Sequence, residues 1–548
     1  MSATPSQGAP VSGGRLQLSP AVLNLAVATY LLAVTNASFW SRLDEIFGAT
    51  PLAQVTFAAA VWALMVMVVS ALAVRWAQKP VLIAFIVIAA VASFYTDRLG
   101  VLIDRDMIQN ALTTTVAEGK HLITGDMATH VALRAVPGIA FVLWVRVVRA
   151  RMLWAAVGWA GMVVGAFALT FGLLFTDLKS FSTVLRGRKD LMGSVQPLAP
   201  IGGALRYAKM MLKSAKIETQ PFGRDAIRGA RLETMEKPVL MVIVAGETGR
   251  AQSWSLSGYE RDTNPELAKR DITYFTDVAS CGTATATSLP CMFSHLTAGE
   301  YSYGGGLAHE NLLDVLTHAG VHVEWWDNNT GSKNIADRVP SRFMTAEDDA
   351  AACASGECID AVFLPKLRQV AETMTDDTVI VIHQIGSHGP SYWLRYPPEE
   401  EVFQPACHSE ELTKCSTEEI VNAYDNTIRY TDQFLSQVID LLAESDRVAG
   451  AMYYVSDHGE SLGENGIYLH GTPMFMAPEV QYKVPMVIWT SEGYRQGMAA
   501  DPACLKARAD QPISHDNLFS TVLGMMDIAT DTRDPALDLT FGCEKNPA

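Results

Sequence analysis

No cysteine precedes position 281, and charged residues are few throughout the chain. All eight cysteines lie between positions 281 and 543, and none forms a C-x-x-C pair, so a zinc site built from thiolates has no support in the sequence. Charged residues make up 18% of the 548 residues, and the formal net charge is −16. This balance excludes a general attraction to nucleic acid or to an anionic surface, so any contact with phosphate must depend on local lysine, arginine or metal.

The even number of cysteines, confined to the second half of the chain, is typical of disulfides formed in an oxidising compartment. Close spacing predicts three pairs and elimination predicts a fourth: Cys281–Cys291, Cys353–Cys358, Cys407–Cys415 and Cys504–Cys543. The alternative is a cytosolic protein with free or metal-bound thiols.

The cysteine-free half is dominated by Ala, Val, Leu, Phe and Trp up to about residue 176. Five stretches have the length and apolarity of membrane-spanning helices, at about 21–40, 52–74, 80–95, 128–148 and 152–175. The first resembles a cleaved signal peptide, but the spans that follow it favour an uncleaved anchor. We therefore predict a cytoplasmic tail over residues 1–20 and a transmembrane domain over residues 21–176.

The short loops between these spans indicate the orientation of the chain. Arg75 and Lys79 lie between the second and third spans without an acidic residue. Arg146, Arg149 and Arg151 lie between the fourth and fifth, again without an acidic residue. Because positively charged loops stay in the cytoplasm, the N-terminus is predicted to be cytoplasmic. An odd number of spans then places the second half of the chain outside, in agreement with the distribution of cysteines.

A connector over residues 177–236 is rich in Lys and Arg and is broken by Pro197 and Pro200. Its middle part, at about 205–212, is either an amphipathic helix at the bilayer surface or a plain linker. From 237 to 548, short apolar runs alternate with helical patterns, which predicts a mainly parallel sheet. The clearest strands are 239–245, 378–383, 451–456 and 484–489, and the clearest helices are 311–319, 361–372 and 420–443.

Polar residues follow three of these strands, at the edge where open α/β sheets place their sites. Glu247 follows the first clear strand, and Asp457 and His458 follow the third. His388 lies shortly after the second. Carboxylate oxygen and imidazole nitrogen are ligands that a tetrahedral Zn²⁺ accepts. Taken singly, these residues are more simply a loop carboxylate, a capping aspartate and core histidines, but their joint occurrence at strand ends favours a metal site.

A run of small residues at 281–288 carries four hydroxyl side chains, those of Thr283, Thr285, Thr287 and Ser288. A helix that begins within this run would direct backbone N–H groups at an anion. A hydroxyl is a weak nucleophile near neutral pH, and metal coordination would activate it. The spacing alone leaves all four as candidates, and the simpler interpretation of each is a structural residue in an Ala/Thr-rich helix.

Four motifs in this order resemble the lipid A phosphoethanolamine transferases: GET at 246–248, CGTATATSLPC at 281–291, HQIGSHGP at 383–390 and SDHGESLGENGIYLHG at 456–471. That family includes the mobile colistin-resistance enzymes. The resemblance covers nearly the whole chain and implies an N-terminal bundle of five transmembrane helices plus a C-terminal α/β domain, alkaline phosphatase/sulfatase-like. It also implies a multi-pass protein of the bacterial inner membrane whose catalytic domain, over residues 237–548, is periplasmic.

The resemblance assigns the chemical roles to four residues. Thr285, the second threonine of the CGTAT run, matches the family's nucleophile. Glu247, Asp457 and His458 match the protein ligands of a zinc ion, whose fourth ligand is the Thr285 oxygen.

Other residues match positions close to the substrates. His388 and His470 match histidines near the substrate phosphate that can hold a second zinc ion or move protons. Asn329 and Lys333 match positions that bind the ethanolamine phosphate, although a lysine at 333 is more simply a solvated side chain. A loop between the third and fourth spans resembles the family segment that reaches toward the active site, and its candidates, or plain packing residues, are Asn110, Thr114 and Glu118.

The expected reaction transfers phosphoethanolamine from phosphatidylethanolamine to a phosphate of lipid A through a phosphothreonine at Thr285. The product would carry less negative charge, which would weaken the action of polymyxin-type cationic peptides. The chain is expected to act in the membrane as a monomer and without nucleic acid. One zinc ion is expected, and whether a second binds during turnover is left open by the sequence. One alternative is a related membrane-anchored transferase of phosphoglycerol, or of phosphoethanolamine to a core sugar. Another is a non-catalytic sensor of cationic peptides, which would need neither Thr285 nor zinc ligands.

Overall fold

The structure, a computed structural model, describes residues 15–114 and 119–543. It divides into two compact units, the first formed by Met1–Arg98 and Gly125–Ile201 and the second by Leu99–Thr124 and Gly202–Ala548. The helices in chain order are α1 (Pro20–Val34), α2 (Ala37–Phe47), α3 (Pro51–Leu72), α4 (Gln78–Leu99), α5 (Arg105–Thr113), α6 (Gly125–Trp144), α7 (Met152–Phe175), α8 (Leu178–Gly187), α9 (Lys189–Gly193), α10 (Leu198–Ser214), α11 (Ala230–Glu233), α12 (Thr285–Met292), α13 (Tyr303–Leu307), α14 (Leu312–His318), α15 (Leu364–Thr373), α16 (Thr417–Glu444), α17 (Glu492–Gly497), α18 (Pro502–Ala507) and α19 (Asp516–Met525).

Four helices of the first unit correspond to four of the predicted spans. α3, α4, α6 and α7 contain 20 to 24 residues each and are long and apolar enough to cross a membrane. At 1.5 Å per residue, a helix of 20 residues is about 30 Å long, which is the thickness of the hydrocarbon core of a bilayer.

The first predicted span is wrong as a continuous helix. α1 and α2 are separated by Thr35 and Asn36, and their axes differ by 71°. Both side chains donate to the carbonyl oxygen of Leu31, and Asn36 also donates to that of Gln196. Hydrogen bonds from side chains to the main chain compete with the hydrogen bonds of the helix. The pattern of apolar residues gives no sign of this competition. α1 is about 22 Å long, so a fifth span among the described residues requires the bent pair.

A seven-stranded sheet lies at the centre of the second unit. Its strands in chain order are β1 (Val239–Gly246), β2 (Thr273–Phe275), β3 (His322–Asp327), β4 (Ser341–Phe343), β5 (Thr378–His383), β6 (Ala449–Ser456) and β7 (Met486–Thr490). They are arranged as β2-β7-β6-β1-β5-β3-β4. Five neighbouring strands run parallel to one another: β6, β1, β5, β3 and β4. β7 pairs antiparallel with β6 on one side and with β2 on the other. The predicted mainly parallel sheet is therefore confirmed, together with the four predicted strands.

Helices cover both faces of this sheet. Successive side chains of a strand point to opposite faces, so the residues of β1 divide between two apolar clusters. Met241 and Ile243 pack in the cluster that includes residues of α12, α14 and α19. Leu240 and Val242 pack in the other cluster, with residues of α16. A strand buried on both faces needs a continuous apolar run, which is what the sequence of β1 provides.

All four predicted disulfides are present: Cys281–Cys291, Cys353–Cys358, Cys407–Cys415 and Cys504–Cys543. The three predicted helices of this unit correspond to α14, α15 and α16. α10 contains the predicted helical part of the connector, and its location at a bilayer surface stays a prediction. Two-residue strands form additional pairs: Gln17–Leu18 with Arg146–Val147, Ile227–Arg228 with Ile528–Ala529, Val278–Ala279 with Ile513–Ser514, and Ser461–Leu462 with Tyr468–Leu469.

Candidate active site

Two neighbouring strands bring three metal-binding side chains together. β1 and β6 pair in parallel with Gly246 opposite Ser456, so the residues that follow the two strands lie side by side. Glu247 follows β1, and Asp457 and His458 follow β6. Their ligand atoms lie within 4.8 Å of one another, and all three side chains are buried. The structure therefore assembles the cluster that the strand ends predict.

The main chain orients the donor atoms of this cluster. Asp457 Oδ1 accepts hydrogen bonds from the backbone N–H groups of Thr248 and His458. His458 Nδ1 lies 2.9 Å from the Gly459 carbonyl oxygen, to which it donates, so Nε2 faces the carboxylates of Glu247 and Asp457 at 3.3 and 3.5 Å. Asp457 Oδ2 is buried and has no hydrogen-bond partner among the described residues. Because a buried carboxylate oxygen without a partner is costly, a metal ion fits this set of donors.

The charges of the cluster also favour a cation. Burial opposes ionisation of Glu247, but hydrogen bonds with His383 and His458 hold its pKa well below the usual value. Burial and the nearby Glu247 raise the pKa of Asp457. Burial lowers the pKa of His458, but Asp457 and Glu247 outweigh it and raise that pKa to about 10. The two carboxylates thus need a positive charge between them, which a divalent cation can supply.

Of the four candidate hydroxyls in the 281–288 run, that of Thr285 contacts the side chains of this cluster. Its Oγ1 lies 3.1 Å from Glu247 Oε2 and 3.1 Å from His458 Nε2. Thr285 is also the first residue of α12, where backbone N–H groups have no partner within the helix and favour an anion. Of the other hydroxyls, Thr283 Oγ1 donates to the carbonyl oxygen of Thr472 and Ser288 Oγ to that of Asp457.

Two predicted histidines lie beside the cluster. The His470 ring centroid is 4.4 Å from that of His458 and 5.4 Å from that of His388. His470 Nδ1 is 2.9 Å from Glu460 Oε2, and the Tyr392 hydroxyl donates to the other oxygen of Glu460 at 2.7 Å. Glu460 therefore orients His470, and this role was not predicted from the sequence.

The predicted substrate-binding residues Asn329 and Lys333 lie in the loop after β3. Asn329 Nδ2 donates to Glu247 Oε2 at 2.8 Å and to the Gln384 carbonyl oxygen at 3.1 Å. Lys333 Nζ donates to the carbonyl oxygens of Thr330 and Thr113, at 2.8 and 3.2 Å. Asn329 thus contacts a carboxylate of the cluster, and Lys333 contacts the end of α5.

Comparison with known proteins agrees with this geometry. A family model described as Phosphoethanolamine transferase EptA/EptB matches residues 61–212, and the Sulfatase model matches residues 240–528. Phosphoethanolamine transferase EptA of Escherichia coli (strain K12) is 38% identical over 475 residues, which are 86% of each chain. Phosphatidylethanolamine transferase Mcr-1 of Escherichia coli is 36% identical over 542 residues, 94% of this chain and 96% of the relative. The chain belongs to the phosphoethanolamine transferase family.

A solved structure of this transferase family supports the predicted fold class. The integral membrane protein lipooligosaccharide phosphoethanolamine transferase A (EptA) from Neisseria meningitidis has a TM-score of 0.92 and 33% identity. The similarity covers 97% of this chain and 100% of that one. An N-terminal region of apolar helices followed by a sulfatase-like α/β domain is therefore confirmed, and so is the resemblance drawn from the motifs.

In this transferase, α5 lies against the helix that carries Thr285. Gln109 Nε2 donates to the Ala286 carbonyl oxygen at 3.3 Å. Asn110 and Thr114 are half-buried, and the Thr114 hydroxyl donates to the Asn110 carbonyl oxygen at 2.8 Å. Glu118, the third candidate of this loop, lies outside the described residues.

A buried Asp–His pair behind the cluster was not predicted. His383 ends β5, and its Nδ1 lies 2.7 Å from Asp327 Oδ2, while its Nε2 lies 3.8 Å from Glu247 Oε2. Asp327 ends β3, which is the neighbour of β5 in the sheet. The sequence signal for this pair was a polar residue directly after two apolar residues at the end of each strand.

Proposed function

We propose that this chain transfers phosphoethanolamine from phosphatidylethanolamine to a phosphate of lipid A. The observation that carries the proposal is the position of Thr285 Oγ1, which is 3.1 Å from both Glu247 Oε2 and His458 Nε2. The names of relatives support the two substrates. Mcr-1 is a phosphatidylethanolamine transferase, and a Kdo(2)-lipid A phosphoethanolamine 7''-transferase of Escherichia coli (strain K12) is 31% identical over 332 residues.

Glu247, Asp457 and His458 would hold one Zn²⁺, with Thr285 as the fourth ligand. Two carboxylate oxygens and an imidazole nitrogen are a donor set that zinc accepts, and the buried Asp457 Oδ2 is available to it. When bound, zinc would supply a positive charge that lowers the pKa of the hydroxyl it contacts. We further propose that His388 and His470 bind a second zinc ion or transfer protons during turnover.

The residues of the site then carry out two displacements. Thr285 Oγ1 attacks the phosphorus of phosphatidylethanolamine, the bond from phosphorus to the diacylglycerol oxygen breaks, and that oxygen takes up the proton that Thr285 loses. We assign the relay of this proton to His388 and His470, whose ring centroids lie 5.4 Å apart, and the binding of the phosphate oxygens to the first N–H groups of α12. In the second displacement, an oxygen of a lipid A phosphate attacks the phosphorus and the bond from phosphorus to Thr285 Oγ1 breaks. Oγ1 takes up the proton that the lipid A phosphate loses, which restores the Thr285 hydroxyl.

The substrate-side residues complete the proposed site. We assign the phosphoethanolamine group to Asn329 and Lys333, which lie on one loop, and a supporting role to Asn110, Thr114 and Glu118. The proposed location is the bacterial inner membrane with a periplasmic catalytic unit. Four disulfides support an oxidising compartment, and the C-terminal periplasmic domain of EptC from Campylobacter jejuni is 39% identical over 60% of this chain, with a TM-score of 0.53.

Mass spectrometry of lipid A from cells that produce the chain tests this proposal. Wild type should add phosphoethanolamine to lipid A and raise survival in polymyxin, because the modified phosphate carries less net negative charge. Thr285→Ala should lower transfer by more than about a thousandfold, since the covalent intermediate is lost. Thr287→Ala is the matched control in the same helix and should retain transfer.

Three results would contradict the proposal. Full transfer by Thr285→Ala would exclude Thr285 as the nucleophile. Transfer by purified chain that persists after complete zinc removal would exclude the metal role. Phosphoethanolamine or phosphoglycerol found on a core sugar or a glucan, with lipid A unmodified, would replace the proposed acceptor by one of the alternatives.

A further inference from the structure

A cavity of about 420 Å³ lies within the first unit, at the end of the helices where the positively charged loops meet. One wall is formed by α7, with Trp154, Gly158 and Trp159. Polar residues of three other helices also line it: Asn24 of α1, Ser70 of α3 and Gln78 of α4. These three residues are buried, so the lining combines the apolar surface of α7 with buried polar side chains.

The rim of this cavity is positively charged. Arg75 and Arg149 line it, and both side chains are exposed. Arg149 Nη2 donates to the Arg75 carbonyl oxygen at 2.9 Å, which ties the two loops together. The segments 15–24, 73–79 and 145–152 contain no Asp or Glu, and their cationic residues are Arg15, Arg75, Lys79, Arg146, Arg149 and Arg151. An anion is therefore the ligand that this rim attracts.

Gln78 provides a second, independent indication of a ligand. Its side chain is 1% exposed, and its Nε2 donates to the Pro20 carbonyl oxygen and to Asn24 Oδ1, both at 2.9 Å. A proline carbonyl can only accept, so the orientation of the Gln78 amide is fixed. Gln78 Oε1 is left as a buried acceptor with no hydrogen-bond partner within the described part of the chain. A buried acceptor without a partner costs free energy, and a ligand that donates a hydrogen bond to Gln78 Oε1 would remove that cost.

We propose that this cavity binds an anionic glycerophospholipid whose headgroup carries hydroxyls, of the phosphatidylglycerol class. Arg75 and Arg149 hold the phosphate, a headgroup hydroxyl donates to Gln78 Oε1, and the acyl chains run along the exposed apolar surface of α7. Trp154 and Trp159 are suited to the interface between headgroups and acyl chains. The proposal rests on the membrane location given above but not on the transfer reaction, since the lipid is neither donor nor acceptor.

Native mass spectrometry of the full-length chain, purified in mild detergent and mixed with defined lipids, tests the proposal. Wild type should retain one phosphatidylglycerol per chain, also when phosphatidylethanolamine, the proposed donor at the catalytic site, is present in excess. Arg75→Gln combined with Arg149→Gln should weaken retention by about tenfold or more, because each arginine near a lipid surface contributes to binding of an anionic lipid.

Variants of α7 separate the cavity from general charge effects. A Cβ built on Gly158 meets nothing within 4 Å, so Gly158→Leu should extend into the cavity and displace the lipid without a clash with the main chain. Gly165 lies about two turns farther along the same face, outside the cavity, and is equally open. Gly165→Leu is therefore the matched control and should retain phosphatidylglycerol like the wild type. Undiminished retention of phosphatidylglycerol by the double arginine variant and by Gly158→Leu would overturn the proposal.

Discussion

Four hydroxyl side chains lie within six residues of one another at the start of α12, and their hydrogen bonds distinguish their roles. Thr285 contacts the metal-binding cluster, whereas Thr283 and Ser288 donate to main-chain carbonyl groups that they hold in place. Spacing alone left all four as candidates, and the family resemblance selected Thr285. The geometry agrees with that selection, while its chemical role stays a proposal.

Thr283→Val should lower stability and preserve transfer. The change removes the hydrogen bond from Thr283 Oγ1 to the Thr472 carbonyl oxygen and leaves that oxygen buried, which should cost about 1–2 kcal/mol of the free energy of unfolding. Thermal unfolding and lipid A mass spectrometry together measure the two effects. A variant that is stable yet as inactive as Thr285→Ala would show that Thr283 has a direct part in the chemistry.

Asp327→Asn should weaken metal binding without touching a metal ligand. Asp327 orients His383, which in turn lies 3.8 Å from Glu247, and loss of such a supporting group typically lowers metal affinity about 10–100-fold. Competition with a chelator of known affinity measures the change. His322→Gln, at the exposed start of the same strand, is the control and should bind zinc as the wild type does. Equal affinities for Asp327→Asn and wild type would remove Asp327 from the metal site.

At the scale of elements, the strands that the sequence predicted best are those whose apolar runs are fully buried. β1, β5 and β6 are fully buried runs, and the residues after two of them form the metal-binding cluster. The break between α1 and α2 was missed because it depends on bonds from Thr35 and Asn36 rather than on a loss of apolar residues. The Asp327–His383 pair was missed because its two members lie 56 residues apart, and their strands are adjacent only in the folded sheet.

The contact between α16 and the turn at Leu267–Lys269 should make stability depend on pH. Asp432 of α16 accepts hydrogen bonds from the backbone N–H groups of Glu266 and Leu267, and burial raises its pKa to about 6 in spite of them. The unfolded chain has the ordinary pKa of about 4, so between pH 4 and pH 6 the folded protein binds more protons. The contribution of Asp432 to the free energy of unfolding is therefore greatest below pH 4 and is lost as the pH rises through 6.

Asp432→Asn measures this contribution, because an amide does not titrate. The free energy of unfolding of wild type minus that of Asp432→Asn should fall by about 2–3 kcal/mol between pH 4 and pH 6. Denaturant unfolding of the purified chain at a series of pH values gives this difference. A difference that stays constant or rises over that range would contradict the raised pKa.

At the scale of the whole molecule, the second unit is assembled from two stretches of chain. Leu99–Thr124, which lies between α4 and α6 in the sequence, packs with Gly202–Ala548. α5 in the shorter stretch contacts α12 through Gln109, and His121 lies 3.0 Å from Glu357. The apolar pattern identified the flanking spans, but hydrophobicity gives no signal for the unit to which a short polar loop belongs.

A chain reduced to residues 202–548 should bind zinc but transfer phosphoethanolamine at least about tenfold more slowly than the full-length chain in the same detergent. The reason is that α12 no longer contacts α5, and misplacement of reacting groups lowers the rate of a reaction. Joining residues 99–124 to the reduced chain through a flexible linker should restore most of the rate. Failure of the joined segment to restore any rate would indicate that the apolar helices themselves are required.

Because the second unit is formed by two separate stretches of the chain, recombination between related genes can divide it. A crossover between the genes of two relatives at the end of α7 would combine the α5 of one parent with the α12 of the other. Such chimeras would fold from intact pieces yet join surfaces that had not been selected together. Recombination should therefore succeed more often when the two stretches of each unit come from one parent.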